Sequence, residues 1–113
     1  MCAAAELKQV LKKTRNGLAE IFGTRLLDVM LYGSYARGEQ EEESDIDIFA
    51  LVDLKKTELS KYRRVVSDFS SQIDLEHDVL LSIKLQDVET FQRFGEVLPF
   101  FRNVMKEGIR IVQ

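Results

Sequence analysis

The stretch GSYARGEQEEESDID, residues 33–47, joins two apolar runs, RLLDVMLY (25–32) and IDIFALV (46–52). Gly33 and Ser34 open it, and Asp45 and Asp47 close it. Six carboxylates fall between Glu39 and Asp47, with Arg37 the nearby basic residue. The flanking runs are rich in β-branched and aromatic residues and predict two strands. If the second strand begins at or before Asp45, Asp45 and Asp47 share a face, because residues i and i+2 of a strand point the same way. Ile46, Ile48 and Ala50 then turn toward the core.

Two adjacent ionised carboxylates raise each other's pKa. A divalent cation removes that penalty, and an all-oxygen donor set suits Mg²⁺. A strand that runs into Gly-Ser and then a helical turn aims backbone N–H groups outward, and these favour an anion. Gly33 allows close backbone approach. The stretch therefore predicts phosphate-binding groups at Gly33 and Ser34 beside metal-binding acids at Asp45 and Asp47. That inventory suits phosphoryl or nucleotidyl transfer, in which positioning and charge stabilisation carry most of the catalysis. Arg37 is either a triphosphate contact or half of a surface ion pair. The glutamates at 39 and 41–43 read as a solvated loop face, and Ser44 as a cap of the turn before the strand.

Outside this stretch, Leu7, Val10, Leu11, Leu18, Ile21 and Phe22 recur at helical spacing and predict a helix over 4–22, stopped by Gly23. Leu59, Tyr62, Val65, Val66, Phe69 and Ile73 predict a second long helix with Thr57 as N-cap. DVLLSIKL (78–85) reads as a third strand. Helices are predicted over 85–94 and 99–106, and the terminal RIVQ is too short to assign. The interleaved order predicts one α/β (α+β) domain over residues 1–113, with a small mixed β-sheet flanked by helices. Asp78, at the head of the third strand, is the expected third carboxylate, able to ligate a metal and to accept a proton from an attacking hydroxyl. Asp74 and Glu76 share its parity and compete with it.

Composition excludes several classes. The 113 residues are 45% apolar and 31% charged, as in a globular domain. Sixteen basic and 19 acidic side chains leave a net charge of −3, and the basic residues are scattered, which argues against a broad nucleic-acid surface. One cysteine, Cys2, and one histidine, His77, cannot build a Cys/His zinc site or a Cys-His nucleophile. Cys2 allows no disulfide within the chain, and neither a signal peptide nor an apolar run long enough for a membrane span is read, so the expected location is cytoplasmic. His77 reads as structural or surface. Tyr32 and Tyr35 flank the site, either as base-stacking groups or as core. Phe91, Phe94, Phe100 and Phe101 read as core or a partner interface.

The pattern G-S-x10-D-x-D, with Ala-Arg-Gly at 36–38, closely resembles the minimal nucleotidyltransferases of the DNA polymerase β superfamily. The order of strand, Gly-Ser, Asp-x-Asp, strand and third acid, and the short length, are also similar, so the resemblance covers most of the chain. The tail LPFFRNVMKEGIRI (98–111) is similar to tails of stand-alone members. The resemblance implies the nucleotidyltransferase fold, two Mg²⁺ at Asp45, Asp47 and a third acid, and ATP phosphates at Gly33 and Ser34. It further implies an antitoxin that pairs with a HEPN-domain ribonuclease toxin and transfers AMP to a toxin tyrosine. Two other functions stay open: a toxin-binding module that needs no turnover, and transfer to a small molecule of the aminoglycoside kind. The second is disfavoured because the chain lacks the extra lobe that larger relatives use to hold an acceptor. The oligomeric state is open, a homo-oligomer included.

Overall fold

A computed structural model describes residues 4–40 and 45–111. Helix α1 (Ala4–Phe22) leads through a 3-10 turn (Gly23–Arg25) into strand β1 (Leu26–Tyr32). A four-residue helix α2 (Ser34–Arg37) follows, and then β2 (Ile46–Val52). Next come α3 (Lys56–Leu59), a second 3-10 turn (Ser60–Tyr62), α4 (Arg63–His77) and β3 (Leu81–Asp87). Helices α5 (Val88–Phe94) and α6 (Pro99–Glu107) lead to a two-residue strand β4 (Ile109–Arg110). The four strands form one sheet in the order β3-β2-β1-β4. β1 is antiparallel to β2 and β4, and β2 is parallel to β3, so the sheet is mixed as expected.

Strand alternation divides the sheet's side chains between two layers. On one face Val29, Leu31, Ile46, Ile48, Ala50, Val52, Leu81 and Leu85 pack with Val10, Leu18 and Phe22 of α1 and Val66 and Ile73 of α4. On the other, Phe49 packs against Phe101 and Val104 of α6, joined by Met30, Tyr32, Leu51, Phe91 and Phe100. The expected aromatic cluster is therefore a second small core, although Phe94 stays 39% exposed outside it. Asp47 alternates with Ile46 and Ile48, so it falls on the face covered by α6, whereas Asp45 stands one residue before β2 begins.

Several boundaries differ from expectation for local reasons. The long helix predicted after β2 is broken into α3, a 3-10 turn and α4. Thr57 lies inside α3 rather than capping it, and the Glu58 carboxylate accepts from the Lys55 N–H at 3.4 Å. The short terminal segment pairs with β1, Met30 opposite Arg110 and Leu31 opposite Ile109.

The third strand is displaced most. Helix α4 runs to His77, and Asp78 ends it in a left-handed conformation (φ 52°), its N–H bonded to the Asp74 carbonyl. Aspartate tolerates that region better than most residues. β3 consequently starts at Leu81, not Asp78. The Asp74 carboxylate accepts from the Leu81 N–H at 2.8 Å, and the Ser70 hydroxyl donates to the Leu81 carbonyl at 3.0 Å. These two bonds tie α4 to the start of β3.

At its other end β3 stops at Asp87, whose buried carboxylate caps α5 by accepting from the Thr90 N–H at 2.9 Å. Burial alone would raise the Asp87 pKa. The hydrogen bonds from Thr90 outweigh it, with a smaller contribution from Lys56, and hold the carboxyl below its usual value. Replacing Asp87 with alanine should cost about 1–2 kcal/mol at neutral pH, the range for a lost N-cap. A depressed pKa places this stability above the unfolded-state value, to be lost as pH falls through the folded one. Thermal melts of the two proteins should therefore begin to approach each other only as pH drops below 3.8, the ordinary value for this acid, and meet once it has passed the depressed folded value; a gap that persists after Asp87 is protonated would mean that packing, not the charged cap, sets the cost.

Candidate active site

The candidate site lies where β1 ends and β2 begins. Antiparallel pairing sets Tyr32 opposite Asp47, so the residue after Tyr32, Gly33, arrives beside that carboxylate. Gly33 has φ 76° and ψ −154°, a region essentially restricted to glycine. A Cβ added there would collide with Asp47 Oδ2. The backbone conformation therefore requires glycine here, and the Asp47 carboxylate packs directly on it. The Gly33 carbonyl accepts from the N–H groups of Ala36 and Arg37 at 3.1 and 3.2 Å, which closes α2. Helix geometry leaves the first N–H groups of such a turn, Ser34 and Tyr35, without helical acceptors.

Asp47 is half-buried and Asp45 is exposed. Burial first, and then the charge of Asp45, raise the Asp47 pKa, while Arg37 partly offsets both. The structure thus brings Asp45, Asp47, Gly33 and Arg37 together. Arg37 also pairs with Glu39 (3.5 Å from Nε) and with Glu107 of α6 (3.3 Å from Nη1). The ion-pair reading of this arginine is therefore met, and its charge also acts on Asp47. Helix α6 completes a cleft of about 180 Å³ lined by Tyr32, Gly33, Arg37, Phe100, Asn103, Val104 and Glu107. The contribution of α6 was not legible in the sequence, because no local pattern ties residues 100–107 to a turn at 33.

The two tyrosines separate clearly. Tyr35 is 7% exposed and belongs to the main core. Tyr32 lines the cleft, edge-on to Phe100 at 5.5 Å, and burial together with the charge of Asp47 raises its pKa. His77 is structural: Nδ1 meets Glu6 at 3.4 Å and Nε2 meets Lys13 Nζ at 3.1 Å.

Placing the third acid on β3 requires correction. Asp78 is the exposed cap of α4, three residues before β3 begins. Asp74 is engaged by the Leu81 N–H, and Glu76 pairs with Lys13 at 3.1 Å. Among the described residues, no group of three or more His, Cys, Asp or Glu side chains could hold a metal ion. The expectations for Ser44 and for Glu41, Glu42 and Glu43 lie outside the described residues.

An aspartate whose pKa is raised by burial and by a like charge destabilises the metal-free fold when ionised. Asp47→Asn should therefore raise the melting temperature of the metal-free protein at neutral pH. The sign follows from linkage: with a raised folded pKa, the native state holds the proton longer, so stability falls as pH rises from the unfolded-state value through the folded one. The advantage of asparagine should vanish below about pH 3.8, the ordinary value for this acid. Equal melts of the two proteins at pH 7 without metal would contradict this picture.

A mixed sheet that sets a Gly-Ser turn against a paired aspartate clamp defines a nucleotidyltransferase-type domain. The chain belongs to the family described as Polymerase beta, Nucleotidyltransferase, whose profile matches residues 6–113. It is 30% identical over 97 residues to a protein of Methanocaldococcus jannaschii named putative protein adenylyltransferase, a match covering 80% of this chain and 96% of that one. It is 31% identical over 87 residues to the protein adenylyltransferase MntA of Thermococcus cleftensis, covering 76% of this chain and 84% of that one. A crystal structure of a toxin–antitoxin with AMP-PNP superposes with TM-score 0.55 at 20% identity, over 90% of this chain and 72% of that one, a likeness of fold. Among the described residues, no helix is long and apolar enough to cross a membrane.

Proposed function

We propose that the chain is an Mg²⁺-dependent protein adenylyltransferase that moves AMP from ATP to a hydroxyl of a partner protein. The observation that carries this reading is the contact of the Asp47 carboxylate with Gly33, which puts an acid pair directly against a turn suited to phosphate. The donor set fits the metal: two neighbouring carboxylates, one held protonated more readily than usual by burial and by its neighbour, gain most from a hard dication. When bound, the cation offsets phosphate charge and gives the α-phosphate a fixed position.

In this reading Asp45 and Asp47 orient the triphosphate, and Gly33 and Ser34 receive its β- and γ-phosphates on backbone N–H groups and the serine hydroxyl. Arg37 adds positive charge at the mouth. The acceptor oxygen forms a bond to the α-phosphorus as the bond to the β-phosphate oxygen breaks. Pyrophosphate leaves with the electron pair of that bond, and the hydroxyl proton passes to solvent. The cleft between β1 and α6 gives the adenosine or the acceptor a wall in Tyr32 and Phe100.

The relatives named adenylyltransferase support protein as the acceptor, and the toxin–antitoxin structure supports a toxin partner. We place a HEPN-domain toxin and one of its tyrosines in that role. The test uses the purified chain, the product of whichever gene adjoins its own, Mg²⁺ and ATP labelled at the α-phosphate. Label should appear on the partner and disappear with Asp45→Ala plus Asp47→Ala. Neutralisation of the toxin that survives loss of both aspartates would favour simple occlusion instead.

A further inference from the structure

We infer that the site takes one divalent cation with its nucleotide rather than two, because β3 presents Ser82 where a third carboxylate would have to stand. The inference rests on the nucleotide-and-metal reading above. It starts from the sheet register. Asp47 on β2 pairs with Ser82 on the parallel strand β3. Paired residues of neighbouring strands lie about 4.8 Å apart and point to the same face. Ser82 is thus the β3 position nearest the Asp47 carboxylate, and it offers one neutral, exposed hydroxyl.

No other side chain of β3 makes up the charge. The next two positions on that face are Lys84, opposite Phe49, and Gln86, opposite Leu51. Lys84 adds the opposite sign: its ammonium lies 4.2 Å from the centre of the Phe100 ring, which lines the cleft. The acids upstream are placed elsewhere, Asp74 on the Leu81 N–H, Glu76 on Lys13, and Asp78 at the end of α4. A second dication about 3.5–4 Å from the first, the spacing of two-metal sites, would find on this face of β3 no carboxylate ligand, only the neutral Ser82 hydroxyl, with the ammonium of Lys84 two residues on.

The experiment counts Mn²⁺ retained per bound nucleotide by equilibrium dialysis of the full chain with a non-hydrolysable ATP analogue, both ligands saturating. One Mn²⁺ per nucleotide is expected for the natural chain. Ser82→Asp should raise the count to two, and Ser82→Asn should leave it at one. Two ions on the natural chain would overturn the inference while leaving the nucleotide site intact, whatever the folding of the variants. A count that stays at one in Ser82→Asp, with an unchanged circular dichroism spectrum, would overturn it as well. If nucleotide and Mn²⁺ are both not retained, the underlying reading of the site fails, and that result is distinct from a count of two.

Discussion

Replacing Asp45 and Asp47 together with asparagine should lower AMP transfer to the partner by on the order of 10³-fold or more, about 4 kcal/mol of transition-state stabilisation. In the proposed reaction the pair works through its charge. Asparagine keeps the shape and removes the charge that would hold a cation beside the α-phosphate, so the loss should appear in kcat at saturating ATP. Folding should not be the cause. Asp45 is exposed, and Asp47 bears a charge that the metal-free fold disfavours, so the double variant should melt no lower than the natural chain. Initial rates with labelled ATP, read beside thermal melts, check both halves. A rate within tenfold of the natural chain, in a protein that melts normally, would remove these aspartates from the chemistry.

Gly33→Ala should cost stability and activity together, for separable reasons. Its backbone conformation carries a penalty of about 1–3 kcal/mol for a residue with a Cβ. The new methyl would also collide with Asp47 Oδ2 and push that carboxylate off its position. A displacement of about 1 Å at a reacting centre costs roughly 10²-fold in rate. Gly38→Ala is the matched control: Gly38 has φ 71°, and a Cβ there meets nothing within 4 Å. It should lose about 1–2 kcal/mol, as left-handed backbone demands, and keep its rate. Equal rate losses in the two variants would show that Gly33 matters through loop conformation alone and not through its contact with Asp47.

If one cation suffices, the carboxylate expected to take the proton from the acceptor is also missing from β3. A partner hydroxyl would then have to bring its own base or lose its proton to water. Under the proposed function, a histidine or carboxylate beside the partner's acceptor hydroxyl would supply what Ser82 does not.

Local chemistry made one part of this protein legible from sequence alone. The turn at Gly33-Ser34 and the strand through Asp47 could be placed because a turn glycine and a strand's two-residue period are properties of neighbouring residues. The apolar spacing of α1 and its stop at Gly23 were readable for the same reason. The sequence could not show where β3 begins, because the helical and extended readings of 74–80 are both locally sound. The choice fell to the Asp74 and Ser70 bonds to Leu81 and to the left-handed turn at Asp78, which form only when α4 lies against the sheet. Nor could it show that α6 walls the cleft, that Glu107 reaches Arg37, or that Ser82 stands beside Asp47. These are contacts between residues 35 to 70 positions apart, set by strand register and by packing on the Phe49 face. Residue type and spacing determined the class of chemistry. Tertiary packing decided which side chains share the site and, through the register of β2 on β3, how much charge that site holds.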